Sequence, residues 1–396
     1  MFQFFRQHAD NILAKCHNDR LLALDVLRGI TITAMVIVNN PGSWSHIYAP
    51  LKHAHWHGLT PTDLIFPFFV FMVGVSIGIV QHRKSNTLAL HKTVWLRSAK
   101  LFGLGLFLFL FYFNFQSATF NWFTDRLSQI RWMGVLQRLA LVYLLTYYLA
   151  HYLTRKGLWW AFVCTLAVYW LSMMYIPYTS ADGTEYVGQL LFGNNFAAYL
   201  DATLLGKQHL YYQKATPFPF DPEGIWSTIP AIASAISGVL TGQYLLSPNN
   251  STPTKAKKLC LFGGLALILG YTVANDFPIN KQLWSPSFVL VSSAWALIIL
   301  SGLIWLLDVK HYRRWSAPFV VFGMNAIGFF VLSGVIARVL LMIPAGEVSL
   351  KSFLYNTVFS NLFSPTFGSF AFALCFCGIC YWIFYQLYQK QIFFKV

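Results

Sequence analysis

Stretches of about 20 mostly apolar residues, the length of a helix that crosses a bilayer, recur along this chain. They constrain its fold more than any other feature. Ten read as spans: 22–40, 62–82, 96–114, 132–152, 157–177, 224–246, 258–275, 284–306, 316–341 and 366–388. Only 10% of the residues are charged, against about 25% in a soluble domain. That is too few to clothe one large soluble core, and it suits a surface facing lipid. The expected fold is therefore all-α: a polytopic membrane protein with about ten transmembrane helices over residues 21–396. Residues 1–20 lack the basic start, apolar run and cleavage site of a signal peptide and read as an amphipathic lead-in at the membrane surface.

Charge predicts the orientation. With the N-terminus inside, 18 of the 28 basic residues fall in inner loops, among them Arg20, Lys84, Arg97 and Lys395. Seven fall in outer loops (Lys52, Arg126, Arg131, Lys207, Lys214, Lys281 and Lys351) and three, Arg28, Arg138 and Arg338, in spans. Basic residues favour the cytoplasmic side, so both termini are expected there. The net charge of +15 is then a topology signal spread over every inner loop, and no nucleic-acid module accompanies it. No predicted outer loop carries one of the six cysteines, so disulfides are not expected. Cys375, Cys377 and Cys380 share one apolar helix and read as small buried side chains, while Cys16 lies in the lead-in.

Polar residues inside the spans point to an enclosed, watered cavity, because intramembrane polar groups are costly unless they face one. Asp25 and Arg28, three apart on the first span, share a helix face. They read either as an arginine held for a phosphate or as a packing lock. Gln137 and Arg138 lie in the fourth span, Asn325 and Arg338 in the ninth, and Asn39 and Asn40 close the first. Transporters and membrane-embedded transferases both enclose such cavities, and polar spacing does not separate them.

The densest run of titratable side chains, "LKHAHWHGLTPTDLIFPFFVFMVG", lies at the outer start of the second span. His53 suits a base or nucleophile near neutral pH. Alternate residues of an extended segment share a face, so His53, His55 and His57 with Asp63 also permit a metal site; interfacial histidines without chemistry are the third option. The long outer loop 178–223 mixes aromatics with carboxylates. That mixture fits either a sugar, with rings on its apolar face, or an interfacial aromatic belt.

The ordered segments "LALDVLRGITITAMVIVNN", "LKHAHWHGLTPTDLIFPFFVFMVGVSI", "GVLQRLALVY", "FDPEGIWSTIPAI", "NKQLWSPSFVL", "FGMNAI" and "KQIFFKV" resemble the heparan-α-glucosaminide N-acetyltransferase family over roughly residues 20–396. The resemblance implies acetyl transfer across a membrane, from cytoplasmic acetyl-CoA to the amino group of a glucosamine-type sugar on the far side. It further implies a homodimer and, for this chain, a bacterial inner membrane. The catalytic histidine of the family's "KHA" motif matches His53, and the asparagine closing the first span matches Asn39. His55 and His57 stand where the lysosomal members have Ser and Asn, which weakens a metal site. On this reading Arg28, Asp25, Gln137, Arg138 and Asn325 serve the donor, and Asp63, Asp221, Glu223 and Trp284 serve the acceptor. An amino-sugar transporter without acyl transfer is the alternative.

Overall fold

The computed structural model describes residues 2–15, 21–83 and 88–394. Cys16, Arg20, Lys84 and Lys395 lie outside the described residues. The helices are α1 (Phe2–Ala14), α2 (Leu22–Asn39), α3 (Ile65–Arg83), α4 (Leu88–Leu110), α5 (Val135–Tyr152), α6 (Arg155–Tyr175), α7 (Phe196–Leu205) and α8 (Thr228–Leu246). They continue as α9 (Thr252–Val273), α10 (Pro286–Ile304), α11 (Ala317–Met324), α12 (Ala326–Met342), α13 (Leu350–Leu354), α14 (Ser360–Leu362) and α15 (Pro365–Gln389). Three two-residue antiparallel ladders supply the β structure among the described residues.

By length and composition, eight of the described helices can cross a membrane, or nine if one bent pair forms a single span. The fold is thus the expected all-α, polytopic one, and two of the ten expected spans depart from it for physical reasons. The fourth, α5, carries Gln137, Arg138, His151 and four tyrosines and falls short in apolarity. It packs among α3, α4 and α8, so neighbouring helices shield its polar groups. The ninth breaks into α11 and α12, which meet at 74°. Asn325 sits at the break, its Nδ2 donating to the Ile392 carbonyl (3.1 Å) and its Oδ1 accepting from Phe394 N (2.8 Å). The side chain therefore holds the end of the chain against the bend.

Backbones meet closely where glycines repeat every fourth residue. Gly74 and Gly78 on α3 face Gly238 and Gly242 on α8, and a Cβ at any of the four would collide with backbone atoms of the other helix. Gly29 on α2 and Gly323 on α11 meet the same way. Small residues at such spacing let helices approach where lipid supplies no hydrophobic drive. Outward faces are apolar, with Trp95, Trp160, Leu265, Ile268 and Trp382 exposed. The five described cysteines are free; Cys377 and Cys380 are buried as expected, whereas Cys375 is exposed.

Both termini lie at one end of the bundle. Tyr388 Oη donates to the Ile12 carbonyl (2.9 Å), and Lys15 Nζ donates to the Gln389 carbonyl (3.1 Å). The histidine segment lies at the other end, where Gly42 N donates to the Ser369 carbonyl at the start of α15. Residues 178–223, expected as a loop, are folded. They contain two hairpins (Tyr178–Thr179 with Glu185–Tyr186, Leu190–Leu191 with Asn194–Asn195) and α7. Tyr178, Phe196, Phe218 and Phe220 join Tyr169 and Phe277 in a second hydrophobic core. The aromatics of this stretch are thus mostly the inside of a cap.

Candidate functional site

The site begins with one carboxylate used twice. In "TPTD", the Asp63 side chain closes a capping box with Thr60, accepting from Thr60 N at 3.0 Å. Its Oδ2 also accepts from Ala54 N (3.1 Å), which pins the preceding segment. That leaves Oδ1 to bond His53 Nδ1 at 2.7 Å. Asp63 is buried at 2% side-chain exposure, while His53 is half exposed at 49%. The carboxylate accepts, so Nδ1 is the donor, and in the neutral ring the lone pair lies on Nε2. A hidden acid orienting an accessible imidazole is the arrangement a base or nucleophile requires.

Lys281 completes the group. Its Nζ lies 3.2 Å and 3.5 Å from the two ring nitrogens of His53 and 3.8 Å from Asp63 Oδ1. Near-equal distances place the ammonium alongside the ring. Burial lowers the Lys281 pKa against the opposing pull of Asp63 and Glu223. Lys281 arrives on the turn 280–285, where Asn280 Oδ1 accepts from Leu283 N (2.9 Å) and Trp284 takes a φ of 52°. A left-handed non-glycine residue costs about 1–3 kcal/mol. Here it turns the buried Trp284 ring into the site, its Nε1 donating to Ser234 Oγ (3.0 Å).

These groups share a cavity of ≈ 680 Å³ lined by Asn39, His53, His55, Asp63, Glu223, Lys281 and Trp284, with aromatic walls from Trp56, Phe192, Tyr211 and Tyr212. Trp56 Nε1 donates to the Leu190 carbonyl (2.8 Å), tying the histidine segment to the folded cap. Arg131 sets the acidic wall. Its Nε and Nη2 donate to both Asp221 oxygens at 2.6 Å, and Nη2 also donates to Glu223 Oε2 at 2.6 Å. Burial favours a neutral Glu223, but Arg131, Arg138 and Lys281 hold its pKa below the ordinary value. Asp221, with 0% side-chain exposure, faces Arg131 and does not line the cavity.

A second cavity, of ≈ 410 Å³, opens at the terminal end of the bundle. Arg28, Arg97, Gln81, Ser76, Tyr143 and Phe394 help to line it. Arg28 Nη1 donates to Asp25 Oδ1 (3.2 Å) and to the Gly323 carbonyl (3.3 Å). Arg97 Nε is buried with no hydrogen-bond partner among the described residues. A small apolar void of ≈ 10 Å³ lies between the two cavities, among Ile32, Met35, Phe66, Phe69, Val135, Ile327 and Phe330. It shares Val135 with the His53 cavity and Phe69 and Ile327 with the Arg28 cavity.

The structure thus brings His53, Asn39, Asp63, Glu223 and Trp284 together. It places Arg28 and Asp25 at the opposite end, and Gln137, Arg138 and Asn325 line neither cavity. Gln137 Nε2 reaches only the Arg131 carbonyl (3.5 Å). Arg138, fully buried beneath the His53 cavity, bonds Ser227 Oγ and the Gly224 carbonyl and lies 5.2 Å from the Trp284 ring centre. Neither borders the Arg28 cavity. The three alternate histidines do not share a face either, because the segment turns between them. His53 meets Asp63, His55 faces the cavity, and His57 Nδ1 lies 3.3 Å from Asn280 Nδ2.

Arg131 and Lys281 counted only as loop charges in the sequence. The capping box "TPTD" was the one local signal that Asp63 would turn back on the histidine segment.

The sequence profile described as heparan-alpha-glucosaminide N-acetyltransferase, catalytic, matches residues 20–275. Heparan-alpha-glucosaminide N-acetyltransferase of Mus musculus is 31% identical over 360 residues, covering 79% of this chain and 53% of the relative. The Homo sapiens protein of the same name is 32% identical over 359 residues, covering 79% and 52%. The chain spans about half the length of these curated relatives.

Proposed function

We propose, from the premise that the chain belongs to the heparan-alpha-glucosaminide N-acetyltransferase family, that it transfers an acetyl group from acetyl-CoA to the amino group of a glucosamine-type sugar. The donor binds at the Arg28 end and the sugar in the His53 cavity. The observation that carries this reading is the Asp63-oriented imidazole, in a cavity separated from an arginine-lined one by a single apolar constriction.

Arg28 and Arg97 hold the donor's phosphates, Arg28 steadied by Asp25; guanidinium geometry suits phosphate. The acyl-bearing arm passes the apolar constriction, where Met35, Phe69 and Ile327 yield to it. Glu223 and the aromatic walls receive the cationic amino sugar. His53 Nε2 takes a proton from the ammonium, and the freed amine attacks the thioester carbonyl. Asn39 and Lys281 stabilise the oxyanion. The carbon–sulfur bond then breaks, the proton held on His53 Nε2 passes to the leaving thiolate, and the attacking nitrogen gives its second proton to water as the amide forms. An acetyl-imidazole on His53 would occupy the same space; donor consumption without acceptor separates the two routes. The Arg28 end, where basic residues cluster and both termini lie, is the cytoplasmic one. The reading places the chain in a bacterial inner membrane, as a homodimer.

The test is thiol release by the purified protein with acetyl-CoA and glucosamine. His53→Ala should lower turnover by about 100-fold or more, the usual scale of a lost general base, while acetyl-CoA still raises the heat stability. Turnover surviving that change removes His53 from the mechanism. No stabilisation of the native protein by acetyl-CoA favours an amino-sugar transporter, which needs no acyl donor.

A further inference from the structure

The transfer reaction proposed above makes no use of Asp201, a carboxylate on α7 in the folded cap. The residue is 2% exposed. Its oxygens go to two backbone amides of one turn: Oδ1 accepts from Ile225 N (3.0 Å) and Oδ2 from Asp221 N (3.3 Å). Those two amides bracket Glu223. Between them the turn closes on itself, Gly224 N donating to the Asp221 carbonyl (3.0 Å) and Glu223 N to Asp221 Oδ1 (2.9 Å). Arg138 Nη2 and Thr228 Oγ1 both donate to the Gly224 carbonyl (3.2 Å and 2.7 Å).

Gly224 shows how tightly the acid lies against this turn. A Cβ there would stand 1.9 Å from Asp201 Oδ2 and 2.5 Å from Oδ1. Only glycine leaves the carboxylate its place. Burial and the like charge of Asp221 both oppose ionisation of Asp201, so an acid here is costly. Filling space in the cap core needs no such group.

The turn matters because of what it carries. The His53 cavity has two carboxylates on its wall among the described residues, Asp63 and Glu223. Asp63 is committed to His53, Ala54 and Thr60. Glu223 is left to meet a cation, with its Oε2 held by Arg131 at 2.6 Å. Arg131 thus fixes the head of the side chain, and Asp201 fixes the backbone from which it springs. A misplacement of about 1 Å at a binding group can cost on the order of 100-fold in rate.

We propose that Asp201 is a positioning residue for the acceptor: through the backbone of residues 221–225 it sets Glu223 where its carboxylate meets the ammonium of the amino sugar. Glu223 so placed favours the charged acceptor over its acetylated product, which carries no ammonium. The inference rests on the reading that the His53 cavity takes an amino sugar, and not on the acetyl transfer itself.

The test uses the full chain, purified with lipid. Asp201→Asn keeps the shape but turns one acceptor into a donor, so one of the two bracketing amides loses its partner. KM for glucosamine should rise by about tenfold, the usual scale of a lost charge-assisted hydrogen bond, with kcat and the KM for acetyl-CoA unchanged. Gly224→Ala should reproduce the rise without altering any charge. Glu223→Gln should raise the same KM, and adding Asp201→Asn to it should raise it little further, as expected when one residue acts through the other. In the native protein, glucosamine should slow hydrogen exchange at the Asp221 and Ile225 amides more than N-acetylglucosamine does, because a ligand that needs the turn in place stabilises it. That arm needs no variant to fold.

An unchanged KM in Asp201→Asn overturns the proposal. So does a fall in kcat and heat stability with KM unmoved, or an effect that multiplies in full with that of Glu223→Gln; each makes Asp201 a part of the cap core only. Equal exchange with both sugars overturns it as well. Heat stabilisation by glucosamine, measured without acetyl-CoA, separates the two readings. Stabilisation that Asp201→Asn weakens, with no thiol release, supports the positioning role and overturns the transferase reading. Thiol release with a KM that ignores Asp201 overturns the positioning role alone, and neither stabilisation nor thiol release with glucosamine overturns both.

Discussion

Asp63 shows how much one side chain can settle. It closes the turn into α3, pins Ala54 and orients His53. Asp63→Asn keeps the shape but replaces an ionised acceptor with an amide whose nitrogen can only donate. We expect turnover to fall by about 100-fold with acetyl-CoA binding preserved, measured as thiol release beside donor-dependent heat stability; an undiminished rate would mean that the imidazole needs no anionic partner. Asp201 behaves differently. Burial and neighbouring Asp221 push its pKa from the ordinary 3.8 up to about 7, although Asp221 N and Ile225 N donate to it. The unfolded chain releases this proton near the ordinary value, and the folded chain keeps it until about 7. Stability from this group is thus complete below the unfolded value and is lost as pH rises through the folded one. Heat stability of the cap should fall across that range, and Asp201→Asn should flatten the profile; an unchanged slope assigns it to another group.

At the scale of elements, the α3–α8 contact sets the frame that holds both cavities. Phe69, Met72, Val73, Ser76 and Ile77 on α3 line the Arg28 cavity, and Asp63 sits just before this helix. Gly238→Val would force a side chain against the α3 backbone at Phe71 and Val75. Overpacking of this kind costs typically 1–3 kcal/mol, so a heat-stability loss of about that size is expected, with the donor's stabilising effect weakened alongside. A variant as stable as the parent would mean that the helices can part without consequence. The broken ninth span makes a different point. Its residues are mostly apolar, so composition reads straight through Asn325. The Asn325 side chain at the bend bonds the distant Ile392 and Phe394 backbone, which no local pattern announces.

At the scale of the whole molecule, the proposed function uses two cavities at opposite ends of the bundle, and α2 reaches both, with Arg28 lining one and Asn39 the other. If the donor arrives only at the Arg28 end, sealed vesicles holding the protein in one orientation should consume acetyl-CoA added on that side and not on the other. Arg28→Ala should raise the KM for acetyl-CoA and leave that for the sugar unchanged. Equal use of donor from both sides would end the two-ended reading. The same scale explains why Arg131 and Lys281 passed as ordinary loop charges in the sequence. Arg131 meets Asp221 and Glu223 about ninety positions along the chain, and Lys281 meets His53 from 228 positions away.

The sequence by itself determined the solvent this chain folds in, the helical class, most span positions and, through ordered motifs, the family. These follow from local patterns, because a bilayer demands long apolar runs whose backbone bonds close within each run. Tertiary structure alone decided that Asp63 and Lys281 flank the imidazole and that Arg138 lies under the Trp284 ring while neither it nor Gln137 borders the Arg28 cavity. It also folded residues 178–223 into a cap and gathered three cations, Arg126, Arg338 and Lys351, around one cavity. Each of these depends on side chains far apart in the chain meeting across helices, and a charge gives no local sign of the partner it will find.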